Sequence, residues 1–257
     1  MKCKICDSET NYVFEHKIMN KYVGKYYQCP TCGLLFVAEP FWLEEAYSDA
    51  IASIDTGIMQ RNLEFVDKMD FLLSTCYGKD HYFLDYGGGY GIFTRMMRDK
   101  GYQYLWYDKY AKPLLCCGFE YQDQKLKLVS AFELFEHFTD PLQEVDEILK
   151  YSKEVIFSTI CYGEELELPD REWSYFAYES GQHTVFYSKK TLCHIAQRYN
   201  LHYANILGLH WFSQKQITNK ELKFLSKKYY CRYRSKAYDY TYAVKDAEWI
   251  KNQYDKE

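Results

Sequence analysis

The sequence predicts a doubly wound α/β sheet, and three observations carry that expectation. From residue 81 onward, strand-like and helix-like patterning alternate, the arrangement that folds into a mostly parallel sheet covered by helices. A glycine-rich run, "YGGGYG", follows the first of those strands and opens the first helix. An acid, Asp108, closes the second strand 23 residues beyond Asp85, the interval that one helix and one strand occupy.

Taken in order, "HYFLDY" reads as a strand, residues 90–100 as a helix and "YQYLWYD" as the second strand. Residues 126–132 read as a further strand, 140–151 as a helix and "KEVIFSTI" as another strand. "YSKKTLCHIAQRYN" is helical with Ser188 placed to cap it, and "LHYANILGLHWF" supplies a last pair of strands around Gly208. Upstream, residues 60–76 set Leu63, Val66, Met69 and Leu73 near one face of an amphipathic helix. The tail carries more lysine and arginine than acid and reads as a solvated helix over a sheet edge. The expected division is 1–40, a cysteine-bearing module; 41–80, a helical connector; 81–213, the sheet domain; and 214–257, a helical extension.

A composition of 47% hydrophobic and 26% charged residues is that of a globular chain able to bury a sizeable core. A net charge of −4 gives no global electrostatic case for nucleic acid as a partner. No apolar run reaches the roughly 18–20 residues of a membrane span, so none is expected. "MKCKICDSET" lacks the apolar core of a signal peptide, and a cytoplasmic location follows as the expectation. In that compartment the ten cysteines point to reduced thiols and metal ligands more than to disulfides.

Four cysteines have ligand spacing. Cys3-Lys-Ile-Cys6 and Cys29-Pro-Thr-Cys32-Gly33 are two knuckles with 22 residues between them. Each presents two thiolates to one tetrahedral ion, and together they complete a closed site for structural Zn²⁺. Cys76, Cys116, Cys117, Cys161, Cys193 and Cys231 show no such spacing and are expected as small apolar core residues.

In "FLDYGGGYGIF", Asp85 ends the strand and Gly87, Gly89 and Gly91 alternate after it, with Gly88 an additional glycine. Such a loop allows positive φ and close approach of backbone to a ligand. The nicotinamide or flavin fingerprint does not fit, because neither Ile92 nor Thr94 is the required small residue. The pattern D-x-G-x-G-x-G resembles motif I of the class I S-adenosylmethionine-dependent methyltransferases. That resemblance implies a Rossmann-like, seven-stranded sheet with S-adenosyl-L-methionine as methyl donor. It implies cofactor-binding roles for Asp85, Gly87, Gly88, Gly89 and Gly91, with Asp108 holding the ribose. Between Asp108 and Leu126 there is hardly room for the family's usual helix, strand and adenine-contacting acid, and Asp123 is a weak stand-in.

The stretch "SAFELFEHFTDP" places Glu133, Glu136 and His137 at i, i+3 and i+4, one face of a helical turn, among phenylalanines that read as core. It follows the fourth expected strand, at the sheet edge where such folds bind ligands. With the later "GQHTVFYS" it resembles a metal-using subset of the methyltransferase fold that includes ubiquinone-biosynthesis and small-RNA terminal 2′-O-methyltransferases. The resemblance implies that Glu133, Glu136, His137 and His183 hold a divalent cation such as Mg²⁺ or Mn²⁺ beside the methyl group. Two other readings stand beside it: His137 or His183 as a general base assisted by Glu133, and acids that merely favour a helix start.

Over about residues 1–212 the chain resembles bacterial methyltransferases with an N-terminal Cys₄ ribbon, carried by the knuckles, "GGGYG", "ELFEHFTDP" and "WSYFAYESGQHTVFYSKKTL". The resemblance implies a small polar acceptor, a sugar that is often nucleotide-linked, and an acceptor wall built from Trp173, Tyr175, Tyr178 and His183. The rivals are an RNA 2′-O-methyltransferase, expected to show a basic channel, and a non-catalytic scaffold that kept the fold. Oligomeric state has no signature in the sequence.

Overall fold

The computed structural model describes residues 1–47 and 55–233. The chain divides into two compact units, each assembled from two stretches: Met1–Ser48 with Leu126–Thr218, and Asp49–Lys125 with Asn219–Glu257.

The first unit begins with three antiparallel strands, β1 (Asn11–Ile18), β2 (Tyr22–Gln28) and β3 (Leu35–Ala38). The β1–β2 turn passes through Met19 and Asn20, both at positive φ. A single-turn helix, α1 (Leu43–Ala46), follows. The second unit holds α2 (Ile58–Cys76), whose buried residues include Val66, Met69 and Leu73 as the apolar period predicts, while Leu63 of the same expected face is half-buried. Then come β4 (Tyr82–Tyr86), α3 (Ile92–Asp99) and β5 (Gln103–Tyr107), with β4 and β5 parallel and Asp85 opposite Trp106.

After β5 the stretch to Leu126 forms neither helix nor strand, as its shortness implies. Trp106 donates its N–H to the Phe119 carbonyl (2.9 Å) and accepts from the Tyr121 N–H (2.9 Å), so one parallel bridge, Trp106 to Glu120, is all that forms. This corrects the seven-stranded expectation: among the described residues the mixed α/β fold has a mostly parallel central sheet of six strands. The stretch up to Leu126 is too short to run back along the sheet and return.

The chain re-enters the first unit with β6 (Leu126–Ala131), a 3₁₀ turn at Phe135–His137, α4 (Pro141–Tyr151) and β7 (Val155–Phe157). A second 3₁₀ turn (Ser174–Phe176), β8 (Val185–Phe186), α5 (Lys189–Arg198), β9 (His202–Ile206) and β10 (Leu209–Ser213) complete it. β6 and β7 are parallel, and β10 runs antiparallel to both β7 and β9. Local sequence sets the helix starts: Asp140 caps α4 with Pro141 at its first position, and Ser188 caps α5 with Thr191 closing a capping box.

β8 pairs with β3, so the cysteine-bearing segment shares a sheet and a core with later chain. Phe14, Tyr26, Leu35, Trp42, Phe176 and Phe186 pack together there. In the second unit α6 (Asn219–Tyr233) accounts for the start of the expected helical tail, and residues 234–257 lie outside the described residues. Among the described residues no helix is long and apolar enough to cross a membrane.

Candidate active site

β4 carries Asp85 into the interior of the second unit, where it is 3% exposed. Its Oδ2 accepts from Thr94 Oγ1 on α3 at 2.8 Å. Burial, aided by the charge of Asp108 and opposed by the Thr94 bond, lifts the Asp85 carboxyl to about 7. The loop beyond it needs its glycines. Gly87, Gly89 and Gly91 have φ of 74°, 52° and 85°. A Cβ on Gly88 would stand 2.7 Å from Asp85 Oδ2 and from the Trp106 ring, and one on Gly91 would strike Cys116 Sγ. On Gly89 the same atom would meet open space, so the loop's free side is there.

Asp108 pins this loop. Its Oδ2 accepts from the Gly89 N–H (2.9 Å), while Oδ1 accepts from Tyr110 and Ala111 N–H groups (both 2.8 Å). Trp106 Nε1–H adds a bond to the Gly89 carbonyl (3.0 Å). The structure therefore brings together Asp85, Gly87, Gly88, Gly89, Gly91 and Asp108. The residues fit a nucleoside ligand: an open glycine backbone stands beside a half-buried carboxylate whose Oδ2 keeps a lone pair for a ribose hydroxyl. Thr94 and Trp106 are partners that sequence reasoning missed. Thr94 was findable from its place in the first turn of the helix after Asp85.

In the first unit the four knuckle cysteines converge. Cys3 Sγ lies 3.5 Å from Cys32 Sγ, and Cys6 Sγ 3.4 Å from Cys29 Sγ. Backbone N–H groups of Ile5 and Cys32 point at Cys3 and Cys29 sulfurs (3.4 Å each). The bond from Cys32 pulls the Cys3 thiol down to about 5, whereas the same bond and burial push Cys32 up. Four close sulfurs, three of them buried, have the donor chemistry of a closed zinc site. Of the other cysteines only Cys116 is core. Cys161 and Cys193 are half-buried and Cys76, Cys117 and Cys231 exposed, which corrects the core expectation for those five.

The E-x-x-E-H segment is not one helical turn. The 3₁₀ turn covers only Phe135–His137, and Glu133 sits before it at φ 50°. The Glu133 N–H donates to Ser158 Oγ (2.7 Å), which returns its proton to Glu133 Oε1 (2.7 Å), so Glu133 closes on the strand end after β7. Phe135 stacks on Phe157 at 3.8 Å and anchors the turn. Thr184 N–H donates to the Glu136 carbonyl (2.9 Å) and Tyr187 Oη to the Phe135 carbonyl (2.9 Å). Those two bonds lay the β8 segment along the turn and bring His183 to His137, ring centroids 4.9 Å apart.

Glu136, His137 and His183 offer ligand atoms within 4.8 Å of one another. Glu133 stands outside that group. Both Glu136 oxygens are buried and, among the described residues, have no hydrogen-bond partner. Burial and then the charge of Glu133 push its carboxyl up to about 8, and the Tyr175 and Thr159 hydroxyls, close by but not in hydrogen-bond geometry, only partly offset this. The histidines are oriented from behind. His183 Nδ1–H donates to the Tyr175 carbonyl (2.7 Å). His137 Nδ1 meets Tyr47 Oη (2.7 Å) and the Gln182 carbonyl (3.2 Å), and the bond behind His183 leaves Nε2 of that ring as its basic nitrogen. Backbone carbonyls behind imidazoles are the usual support of metal-ligating or proton-accepting histidines. Tyr47 and Thr159 carried no signal in the sequence. Of the expected acceptor wall, Trp173 lines a cavity, Tyr175 lies between it and His183, and Tyr178 stacks instead on His16 of β1 (3.7 Å).

Residues 58–205 match the family model described as a methyltransferase domain. Similar solved structures include the plantazolicin methyltransferase BpumL in complex with SAH, 13% identical, covering 77% of this chain and 91% of that one, TM-score 0.48. CalO1, a methyltransferase in calicheamicin biosynthesis, SAH bound, is 12% identical over 58% of this chain and 53% of its own, TM-score 0.40. The mitomycin 7-O-methyltransferase MmcR is 10% identical over 57% and 52%, TM-score 0.39. The chain spans about half the length of these last two. No curated protein matches it by sequence.

Proposed function

Because this chain belongs to the methyltransferase-domain family, we propose that it moves a methyl group from S-adenosylmethionine to a hydroxyl of a small, polar, sugar-like acceptor. The observation that supports this most is the Asp108 carboxylate bonded to the Gly89 N–H at 2.9 Å, which holds the glycine loop open toward a ribose. S-adenosylmethionine supplies an electrophilic methyl on a positively charged sulfur. The chain's own residues have to bind, orient and deprotonate. Asp85 and Asp108 shape the loop, and Asp108 accepts from the ribose hydroxyls.

Proton removal falls to the cluster in the first unit. His183, its Nδ1–H fixed on the Tyr175 carbonyl, accepts the acceptor's proton at Nε2, with the buried Glu136 carboxyl beside it. The same three donors fit a divalent cation, which when bound would lower the hydroxyl's pKa. Two imidazoles and one carboxylate suit Zn²⁺ or Fe²⁺ better than Mg²⁺. The four knuckle thiols would hold a separate, structural Zn²⁺.

Titration calorimetry with S-adenosylmethionine tests the reading. Wild-type protein is expected to bind it, with Asp108→Ala weakening binding by about tenfold or more, the cost of a lost charged hydrogen bond. Folded wild-type protein that takes up no S-adenosylmethionine overturns the proposal.

A further inference from the structure

The first unit contains a cavity of about 480 Å³ after β7, walled by Ile160, Tyr162, Pro169 and Trp173 and edged by Asp170 and Glu172. We propose that this cavity binds the methyl acceptor and selects one carrying a positively charged amino group. The inference rests on the methyltransferase reading and narrows its substrate class.

The cavity is joined to the Glu136–His137–His183 cluster by one side chain. Ile160, on the cavity wall, donates its N–H to Tyr175 Oη (3.1 Å), and that hydroxyl also meets Thr159 Oγ1 (3.1 Å). On one side the Tyr175 ring lies 5.1 Å from Trp173, on the cavity wall. On the other it lies 4.8 Å from His183. The Tyr175 ring thus stands between Trp173 and His183, so a group seated against Trp173 serves for recognition while the acceptor's hydroxyl reaches past that ring.

The charge of the lining sets the class of ligand. Neither lysine nor arginine lines the cavity. The charged residues of the lining are both acids, Asp170 and Glu172. Arg171, between them in sequence, is drawn over the Phe14 ring, 5.5 Å from its centroid. An ammonium gains twice in such a place, from the carboxylates and from the aromatic rings of Trp173 and Tyr162 in the wall. A phosphate or diphosphate would meet carboxylates and no cation, which disfavours a nucleotide-linked sugar at this mouth. The wall is also held in shape: Gln28 Nε2 donates to Tyr162 Oη (3.1 Å) and to the Leu166 carbonyl (2.9 Å), and Tyr162 Oη donates to the Gly33 carbonyl.

The test uses the full chain and three glucose-based probes of different charge: glucosamine, glucose and glucose 6-phosphate. Tryptophan fluorescence is read for wild type, for Trp173→Phe and for the pair Asp170→Asn with Glu172→Gln, alongside calorimetry of S-adenosylmethionine with each protein. Glucosamine is expected to bind about tenfold more tightly than glucose. The phosphate is expected not to bind. The fluorescence change should vanish in Trp173→Phe, and the preference for amine should vanish in the Asp170, Glu172 double variant, which still binds S-adenosylmethionine. Equal affinity for glucose and glucosamine, or a preference for the phosphate, overturns the charge class. Failure of all three probes on protein that binds S-adenosylmethionine overturns the cavity and leaves the methyltransferase reading in place. Amine binding by protein that ignores S-adenosylmethionine keeps the cavity and overturns the reaction.

Discussion

Two buried acids, Asp85 in one unit and Glu136 in the other, are lifted to about 7 and about 8 by the same cause, loss of water. They differ in how the fold answers them. Asp85 accepts a hydrogen bond from Thr94 and belongs to a loop tied down by Asp108 and Trp106. Glu136 has no partner for either oxygen among the described residues, and its neighbours are two imidazoles held by backbone carbonyls. Buried polar groups are normally satisfied, and an ionised one left alone is costly. On the proposed function the first acid is scaffold for a ligand site, and the second belongs to a site whose complement, a proton or a cation, comes from outside the fold.

The largest expected effect strikes the second site. His183→Ala should lower the rate of labelled-methyl transfer roughly 10²–10⁴-fold, the range for a lost general base. The melting temperature should hardly move, because His183 is only half-buried. Glu136→Gln should do the same while removing one of two Co²⁺ signals: the weak imidazole–carboxylate bands go and the strong thiolate band of the cysteine site stays. A variant at His183 that keeps its rate but melts many degrees lower makes the cluster structural, and the contrast with Asp85 collapses.

The next effect concerns pH and falls on Asp85. Its folded pKa lies above the ordinary carboxylate value, so the folded chain holds a proton that the unfolded chain has released. The stability from this group is complete below about pH 4 and is lost as pH rises through about 7. The ligand-free protein should melt progressively lower across that window. Asp85→Asn should flatten the slope and melt above the wild type at pH 8, while binding S-adenosylmethionine more weakly. A slope that Asp85→Asn leaves unchanged removes Asp85 as its source.

How much of this was legible in the sequence divides along the same line. Asp85, the glycines and Asp108 lie within one strand–helix–strand unit, where local spacing dictates geometry, and the structure brings all of them together. The knuckle cysteines were legible for the same reason. The 3.6-residue period misled at Glu133: its φ of 50° and its exchange with Ser158 depend on the end of β7, a distant strand. Tyr47 and Thr159 reach the cluster from separate elements, and no one-dimensional pattern joins them to His137. The missing seventh strand was foreshadowed by the short stretch after Asp108, yet the Trp106–Glu120 bridge that replaces it depends on partners seen only in three dimensions.

The smallest effect sharpens why a cysteine ribbon belongs with the site that awaits its complement. Gln28 and Gly33 flank the second knuckle on either side, and both bond Tyr162 of the cavity wall. Gln28→Ala removes two hydrogen bonds, to Tyr162 and to the Leu166 carbonyl, and should cost about 1 kcal/mol. In a chain of this size that is a fall of about 2–4 °C in melting temperature. Tyr162→Phe keeps the ring and loses the same Tyr162 bond, so the two changes share an interaction and their costs should not add. The double variant should lose less than the sum of the singles, both in melting temperature and in glucosamine affinity. Strict additivity would show that the ribbon and the cavity wall are merely neighbours, and that the thiol site supports the fold without shaping what the other site receives.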